Sequence, residues 1–405
     1  QAPRGTFDVL GDDALARDHL EATARGILEA AGYARIETPT FESTALFARG
    51  VGESTDVVQK EMYTFDSGDE SESLTLRPEG TAPVCRAYLE HGMHKRPQPV
   101  KLWYWGPYFR HEAPQAGRFR QFTQVGAEAL GSDDPALDAE LIWLLADLLD
   151  LVAARDIRLR ISSLGTAETR REYAEELKAF LTSREDELAP EVKARIDTNP
   201  LRAFDSADAS TQGVMRDAPK LLDRLAPDDA EHFDAVRRLL DEVGIAYEVD
   251  PALVRGLDYY TRTVFEFTSD ALGAQSGVGG GGRYDGLVEQ LGGPPTPGVG
   301  WAAGIERILL AGGVEPAAWP ILFVAVPKPE RREAAFRVAY ELRRGMPVEL
   351  GDAGRSLKGQ LKRADQIGAA WTVIVEDEGL TLKHMESGDQ RTVATADEVL
   401  KTVIE

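Results

Sequence analysis

The chain has 405 residues, of which 43% are hydrophobic and 28% are charged, a balance typical of a globular protein with two or three domains. Its formal net charge of −22 excludes a protein that coats nucleic acid nonspecifically, because neutralising phosphates requires lysine and arginine. The single cysteine, Cys85, excludes an intramolecular disulfide, and no apolar run approaches the roughly 20 residues that span a bilayer.

The first third of the chain predicts one helix followed by strands. Asp12 or Asp13 can cap a helix whose apolar residues recur at helical spacing until Gly32 ends it. The first strand carries Pro39, so we expect it at an edge, a bulge or an interface. Aromatic, branched and alternating residues predict strands at 34–41, 73–77, 100–109 and 120–130.

The middle of the chain changes from a mixed pattern to a helical one. Residues 132–135 begin a helix that runs to Val152, and alternation at 157–161 predicts a strand. Residues 166–245 are strongly charged, low in aromatic residues and helical in pattern, which predicts a helical insertion. The segments that follow are predicted as strands at 246–249 and 263–268, a glycine-rich turn at 277–282, and helices at 284–291 and 301–310.

The last part of the chain predicts a separate small domain. Glycines and prolines between residues 312 and 320 indicate a linker, and residues 319–405 alternate between strands and helices as in a small α/β domain. This part holds 13 Lys+Arg and 14 Asp+Glu, a net charge of −1, which leaves −21 on the other 318 residues. Any contact with nucleic acid must therefore come from local basic patches.

Two patterns resemble binding motifs without predicting them. Residues 277–282 satisfy G-x-G-x-x-G, but no compact βαβ unit surrounds them and no acidic ribose ligand follows at the right distance. A tight turn or a close backbone approach to a small ligand is the better interpretation. His91 and His94 lie close together without further ligands, so we expect no transition-metal site.

The segment from Phe109 to Phe122 carries the first chemical signal. Two predicted strands and the loop between them bring Arg110, Glu112 and Phe122 to positions where they can converge. Arginine binds phosphate oxygens with its planar fork, glutamate can accept from an adenine amino group, and a phenylalanine face can stack on the base. A surface hairpin with an ordinary salt bridge remains the alternative.

Further segments of the chain turn these residues into a family pattern. With Pro39 in a first strand, Arg110 and Glu112 in a second segment and Arg307 at a helix start, the chain resembles class II aminoacyl-tRNA synthetases. Residues 253–266, which begin LVRGLDYYT, and residues 276–285, which end GGRYD, resemble the two histidine-specific motifs of the histidyl-tRNA synthetases. PRGTFDVL at 3–10, LRPEGTAP at 76–83 and GRSLKGQLKRADQIGA at 354–369 also match that family.

This resemblance implies a fold, an assembly and a reaction. The implied fold is α+β, with a class II catalytic core (1–165 and 246–315) on a mainly antiparallel sheet flanked by helices, a helical insertion (166–245) and a C-terminal α/β anticodon-binding domain (319–405). Members of the family are homodimers that activate histidine with ATP and Mg²⁺ and transfer it to the tRNA specific for histidine. We also expect a cytoplasmic location and no membrane partner, since residues 1–10 lack the parts of a signal peptide.

The resemblance also assigns roles to individual residues. Arg110 and Arg255 would hold the α-phosphate, Arg307 would brace adenine and the γ-phosphate, and the three arginines would be the catalytic groups. Glu112 and Phe122 would bind the adenine of ATP. Histidine would be bound by Arg255 and Tyr259, with Glu128 and Tyr260 on its ring and Glu79, Thr81 and Gln124 on its α-amino and carboxylate groups. The tRNA would be held by Gln115, Arg118 and Arg120 at its acceptor end and by Arg355, Lys358, Lys362 and Arg363 at its anticodon stem.

Simpler interpretations of these residues stay open, as does one other function. Tyr260 can be a core tyrosine, Glu128 a solvated acid at a strand edge, and the C-terminal cations a solvated helix face. A histidine-sensing regulatory subunit of ATP phosphoribosyltransferase resembles the catalytic core, but such proteins usually lack the second arginine and the C-terminal domain. A sensor domain fused to a kinase would require a kinase segment, which this sequence lacks.

Overall fold

A computed structural model describes the chain over residues 1–52, 55, 57–66, 68, 73–115, 117–206, 208–253, 257–273, 276–312 and 321–404. The chain forms two compact units, divided between residues 316 and 317. In the described part of the chain, no helix is both long enough and apolar enough to cross a membrane.

The first unit alternates helices and strands around one large sheet. Its helices are α1 (Asp12–Ala30), α2 (Thr44–Val51), α3 (Thr81–Glu90), α4 (Pro135–Leu151), α5 (Ala167–Ser183), α6 (Pro190–Lys193), α7 (Ala209–Arg216), α8 (Pro227–Glu242), α9 (Leu287–Gln290) and α10 (Ile305–Ala311). Its strands are β1 (Ala34–Arg35), β2 (Phe41–Ser43), β3 (Tyr63–Asp66), β4 (Ser73–Leu76), β5 (Val100–Phe109), β6 (Gln121–Leu130), β7 (Ile157–Ser163), β8 (Glu248–Val249), β9 (Thr261–Ser269), β10 (Gly277–Arg283) and β11 (Gly298–Gly304).

Eight of these strands form a mainly antiparallel sheet in the order β1-β5-β6-β11-β10-β9-β7-β8. Only the two edge pairings, β1 with β5 and β7 with β8, are parallel. The long hairpin β5–β6 pairs Val100 with Leu130 at one end and Phe109 with Gln121 at the other. A second sheet, β2-β4-β3, is small. The mainly antiparallel sheet with flanking helices confirms the α+β class that the sequence predicts.

Successive residues of β5 point to opposite faces of the sheet, as a strand requires, and a separate hydrophobic cluster covers each face. On one face, Trp103 packs with the apolar stripes of α1, α4 and α8. On the other, Tyr104 packs with α3, α5 and α9. The last helix of residues 166–245 thus joins the core of the sheet, since Phe233 and Val236 of α8 lie in the first cluster.

Several local predictions were wrong. Residues 277–282 form strand β10 and not a turn, with Gly281 paired to both Phe265 and Trp301. A Cβ at Gly281 would overlap the backbone of β11, so only glycine permits this close strand spacing. Residues 301–304 belong to β11, and the helix begins only at Ile305, because a short apolar run does not distinguish strand from helix.

The first helix and the strand after it also differ from the prediction. Gly11 is the N-cap of α1, and its carbonyl accepts from the backbone N–H groups of Ala14 and Leu15, while Asp12 and Asp13 lie inside the first turn. Acidic side chains there stabilise the positive end of the helix dipole. The segment 34–41 is not one strand: β1 ends at Arg35, and Phe41 begins β2. Pro39, which lacks a ladder donor, lies between the two strands.

The second unit is a five-stranded sheet with helices. Its strands are β12 (Leu322–Ala325), β13 (Val348–Leu350), β14 (Trp371–Val375), β15 (Leu380–His384) and β16 (Gln390–Val393), and its helices are α11 (Arg332–Leu342), α12 (Leu357–Gln366) and α13 (Ala396–Ile404). The order is β13-β12-β14-β15-β16, with β12 parallel to both neighbours and the other pairs antiparallel. The sequence had predicted no element for β13, β16 or α13.

Candidate active site

A cavity of about 400 Å³ opens on one face of the large sheet, where β6, β11 and β10 lie side by side. The start of α3, the loop between β5 and β6, and the pair Tyr259–Tyr260 form its other walls. The predicted site residues that line it are Glu79, Thr81, Arg110, Glu112, Arg118, Phe122, Gln124, Tyr259, Tyr260 and Arg307. Residues from six separate parts of the chain therefore meet at one cavity.

Arg110 follows directly after β5, and two contacts hold its side chain. Its Nε donates to the carbonyl of Pro78 over 2.9 Å, and its guanidinium carbon lies 5.4 Å from the ring centroid of Phe122. These two contacts hold the guanidinium group of a residue that lines the cavity. Phe122 thus contacts Arg110, and its ring also lies 6.2 Å from that of Tyr108 between centroids.

Two further arginines stand on the same wall. Arg118 forms an ion pair with Glu112 at 3.2 Å, and Arg110 lies 3.9 Å from the same carboxyl group. Burial and the neighbouring charge of Arg118 lower the pKa of Arg307 from its ordinary value. Like charges placed close together at a buried site are unfavourable unless an anion joins them. This wall is suited to bind phosphate groups.

Glu79 and Thr81 lie where β4 leads into α3. The buried Glu79 carboxylate accepts from the backbone N–H groups of Thr81 (2.7 Å) and Ala82 (3.0 Å), and so it caps the start of α3. Burial raises the pKa of Glu79, opposed by these hydrogen bonds and by Arg110. The carboxyl group is therefore held in place before any ligand arrives.

Glu128 on β6 lies fully buried behind Thr81, at the centre of a cluster of hydroxyl groups. Thr81 (2.7 Å), Tyr104 (3.1 Å) and Tyr284 (2.6 Å) each contribute a hydroxyl to its carboxyl group. Burial raises the pKa of Glu128 to about 8, although these hydrogen bonds oppose the change. Glu128 is thus no solvated acid at a strand edge, and it reaches the cavity wall through Thr81.

Glycines create the space for this cluster. A Cβ on Gly300 would overlap the Glu128 carboxyl group, and one on Gly126 or Gly80 would overlap the Tyr104 ring. The three glycines come from β11, β6 and the turn before α3. Glycine at these three positions therefore leaves the room that the Glu128 carboxyl group and the Tyr104 ring occupy.

Gln124, Tyr259 and Tyr260 form another part of the cavity lining. The Oε1 atom of Gln124 is buried and has no hydrogen-bond partner among the described residues. A buried polar atom without a partner is unfavourable, so this oxygen is suited to accept from a bound ligand. The rings of Tyr259 and Tyr260 pack together with centroids 4.7 Å apart, and both are buried, which makes this part of the lining an aromatic wall.

Other predicted residues lie outside the cavity lining. The backbone of Gln115 pairs with that of Arg118 in the β5–β6 loop. Arg120 donates through Nε to the carbonyl of Glu112 over 3.3 Å, and its backbone N–H donates to the carbonyl of Gly5. The N-terminal segment thus lies against this loop. Arg255 lies outside the described residues.

The four predicted C-terminal cations lie in the second unit, on or beside α12, and all are exposed. Arg363 pairs with Glu349 at 3.0 Å, and Arg355 lies 3.7 Å from Asp352. Lys358 and Lys362 stand four residues apart and thus share a helix face. Unlike the two arginines, Lys358 and Lys362 have no acidic side chain within ion-pair distance among the described residues of the second unit.

Sequence reasoning assigned no role to several residues that build this site. Tyr104 and Tyr284 hold Glu128, and Glu266 and Trp301 line the cavity. Tyr284 stands inside the matched motif GGRYD, which could have identified it. Tyr104 has no such signal, because it looks like any aromatic residue on a buried strand.

Comparison with protein families divides the chain as the structure does. The model of the family "Histidyl-tRNA synthetase" matches residues 5–308. The model of the family "Anticodon binding domain" matches residues 322–405. The two matches together cover nearly the whole chain.

Individual relatives agree with the family models. Histidine–tRNA ligase of Halothermothrix orenii is 46% identical over 98% of this chain and 97% of its own length. The enzyme of that name from Rubrobacter xylanophilus is 48% identical over 97% of this chain and 96% of its own length. The crystal structure of apo S. aureus histidyl-tRNA synthetase is 34% identical, covers 100% of both chains and superposes with a TM-score of 0.82.

Proposed function

This chain belongs to the histidyl-tRNA synthetase family, and from that premise we propose how its residues carry out the reaction. The chain is an ATP-dependent ligase that attaches histidine to tRNA. The observation that carries the residue assignment is the single cavity, which joins an arginine wall to a buried carboxyl cluster and an aromatic wall. The arginine wall suits phosphate groups, and the carboxyl cluster and aromatic wall together suit an amino acid with a polar ring.

The arginine wall is assigned to ATP. In the first step the histidine carboxylate attacks the α-phosphate and pyrophosphate leaves, so negative charge must be stabilised where it develops. Arg110, which lines the cavity, is assigned to the α-phosphate, and Arg307 to adenine and the γ-phosphate. Arg255 is assigned to the α-phosphate and the histidine carboxylate on the resemblance alone.

Phe122 and Glu112 are assigned to the adenine base. Phe122 already lies against the Arg110 guanidinium, so a base stacked on it would be close to the phosphate-binding group. Glu112 pairs with Arg118 and can accept from the adenine amino group.

Mg²⁺ is assigned to the phosphates of ATP. Mg²⁺ usually keeps several waters and takes one or two carboxylates beside the phosphates of its substrate. Among the described residues that line the cavity, the carboxylates of Glu112 and Glu266 are each already paired with an arginine. This supports a metal ion that enters bound to the phosphates of ATP. When bound, it would neutralise charge on the leaving pyrophosphate.

The other end of the cavity is assigned to histidine. A neutral imidazole has one donor and one acceptor nitrogen, and Glu128 and Tyr260 are assigned to them, with Tyr259 packing beside the ring. The unpartnered Oε1 of Gln124 supports a contact with the α-amino group. Glu79 and Thr81, already joined by a hydrogen bond, complete this end.

The tRNA is assigned to two surfaces, one in each unit. Gln115, Arg118 and Arg120 lie in or beside the β5–β6 loop and are assigned to the acceptor end. Arg355, Lys358, Lys362 and Arg363 are assigned to the anticodon stem, which fits the match of residues 322–405 to an anticodon-binding family. We further propose a cytoplasmic homodimer with catalytic core 1–165 and 246–315, helical insertion 166–245 and anticodon domain 319–405.

The alternative, a regulatory subunit of ATP phosphoribosyltransferase, is the less supported function. Such proteins usually lack the C-terminal domain, whereas residues 322–405 match an anticodon-binding family here. Relatives named histidine–tRNA ligase match at 46–48% identity over nearly their full length. These findings favour the ligase.

Exchange of labelled pyrophosphate into ATP tests the assignment. We expect exchange with histidine and with no other amino acid, and we expect Arg255→Ala to abolish it. Arg158→Ala, which removes an exposed arginine paired with Asp270, is the control and retains exchange. Histidine binding without exchange in the unmodified protein would favour the regulatory subunit, and full exchange in Arg255→Ala would refute the role of that arginine.

A further inference from the structure

An arginine from the helical insertion contacts the backbone of the histidine pocket. Nη1 of Arg170, in the first turns of α5, donates a hydrogen bond to the backbone carbonyl of Tyr260. Tyr260 is 6% exposed, and its side chain lines the cavity beside Tyr259. The position of this tyrosine therefore depends on a residue outside the sheet.

The chain turns sharply directly after Tyr260. Gly282 pairs with Val264, but Arg283 pairs with Thr261, so two residues of β9 bulge out of the ladder. One of them, Arg262, has a φ of 47°, a conformation that non-glycine residues keep only where their surroundings enforce it. Bulges next to active sites redirect side chains, and here the bulge ends at the residue that lines the cavity.

Contacts to the insertion and to the two residues before it enforce this conformation. The backbone N–H of Arg262 donates to the carbonyl of Gly165, and the N–H of Leu164 donates to the carbonyl of Arg262, both over 2.7 Å. The Arg262 side chain donates through Nε to the buried carboxylate of Asp229 on α8 over 3.0 Å. The bulge is thus tied to the segment that leads into α5.

The same carboxylate fixes the start of α5. The backbone N–H of Thr166, the N-cap of α5, donates to Oδ2 of Asp229 over 2.8 Å. Asp229 therefore holds both the bulged residue Arg262 and the helix that carries Arg170. Burial lowers the pKa of Arg170 from its ordinary value while Asp258 opposes this change, and the guanidinium remains charged, as arginine does in proteins.

A charged donor to a carbonyl is roughly twice as strong as a neutral one. We propose that Arg170 is a positioning residue for the histidine site: through the carbonyl of Tyr260 it sets the placement of the Tyr259–Tyr260 pair and thereby the affinity for histidine. Arg170 itself is not among the residues that line the cavity. This inference rests on the assignment of the aromatic wall to histidine.

Arg170→Met tests the proposal, because methionine keeps an apolar chain of similar length and loses the donor. The matched control is Arg171→Met, which removes the neighbouring exposed arginine of the same helix. Pyrophosphate exchange with histidine and with ATP varied in turn separates the two KM values. For Arg170→Met we expect the KM for histidine to rise roughly tenfold or more, with the KM for ATP within about twofold of the unmodified protein.

The other outcomes are distinct. Arg170→Lys keeps a charged donor with a different geometry, so we expect its KM for histidine to lie between those of the unmodified protein and Arg170→Met. If the methionine variant does not fold, the lysine variant replaces it, and the expected result is a smaller rise in the same KM. A histidine KM in Arg170→Met equal to that of Arg171→Met would overturn the proposal, as would an equal rise in both KM values. Absence of histidine-dependent exchange in the unmodified protein would instead refute the function on which the inference rests.

Discussion

The hydroxyl of Thr81 donates a 2.7 Å hydrogen bond to Glu128 and so joins the cavity wall to a carboxyl group that solvent does not reach. Tyr104 and Tyr284 contact the same carboxyl group from other elements. Burial raises the pKa of Glu128 to about 8, which favours the protonated form at neutral pH. The part of the cavity proposed to bind histidine therefore has less negative charge than the sequence indicates.

Glu128→Gln is expected to flatten the pH dependence of folding stability. The raised pKa means that folded Glu128 keeps a proton that the unfolded chain loses at its ordinary pKa of about 4.3, so its contribution is full below that pH and is lost as pH rises toward 8. Glutamine does not titrate. Urea unfolding between about pH 5 and pH 8 measures the slope, and equal slopes for both proteins would contradict the assigned protonation.

Gly300→Ala is expected to destabilise the first unit by about 1–3 kcal/mol, because the new methyl overlaps the Glu128 carboxyl group. Gly26→Ala is the matched control. Gly26 lies inside α1 with no atom within 4 Å of an added Cβ, so this change is expected to stabilise by about 0.5–1 kcal/mol. Thermal unfolding of both variants measures the difference, and a shift of the same sign in both would refute the steric argument.

Asp138→Asn is expected to destabilise by up to about 3–5 kcal/mol, because it removes the fully buried one of the two carboxylates, Asp138 and Asp285, that pair with the buried guanidinium of Arg283. Asp138 on α4 forms an ion pair with Arg283 of β10, and both side chains are 0% exposed. Asp234→Asn breaks an exposed pair with Arg237 and is expected to cost at most about 1 kcal/mol. Chemical unfolding ranks the two, and equal losses would show that burial does not govern these pairs.

Gln124→Leu is expected to raise the KM for histidine roughly tenfold without lowering stability. The Oε1 atom of Gln124 has no partner among the described residues, so its removal loses no hydrogen bond in the unliganded protein but removes one from the complex. Pyrophosphate exchange and thermal unfolding measure the two effects. Loss of stability with an unchanged KM would show that Gln124 supports the fold and not the ligand.

Replacing both Lys358 and Lys362 by alanine is expected to lower kcat/KM for tRNA and to leave pyrophosphate exchange unchanged. Each lost phosphate contact reduces the salt dependence of tRNA binding by about one unit of slope. Lys401→Ala, which removes an exposed lysine of α13 in the same unit, is the control. Equal charging by the double variant and the control would refute the assignment of this helix face.

The sequence was sufficient to predict the fold class and the position of some site residues, because local patterns mark the ends of the strands and the starts of the helices that carry them. Arg110 follows a ten-residue strand of aromatic and branched residues, and Arg307 follows a glycine at a helix start, so each lies at a predictable boundary. The family motifs supplied the remaining assignments. Those residue roles remain predictions.

What the sequence did not show depends on contacts between distant segments. Glycines in β10 looked like a turn, since glycine is weak in strands, but neighbouring strands at the backbone of Gly281 require it. Tyr104 and Tyr284 meet Glu128 from positions 24 and 156 residues away, and no local pattern encodes that meeting. The bulge at Arg262 likewise depends on α8, 33 residues earlier in the chain.

The strand order has a consequence for how the protein is made on the ribosome. The middle strands β9, β10 and β11 are synthesised last, yet they separate β6 from β7 in the finished sheet. Without these strands, β6 and β7 each lack the neighbour that they have in the finished sheet. Because unpaired strand edges pair with other chains, a chain truncated between β7 and β9 is expected to aggregate.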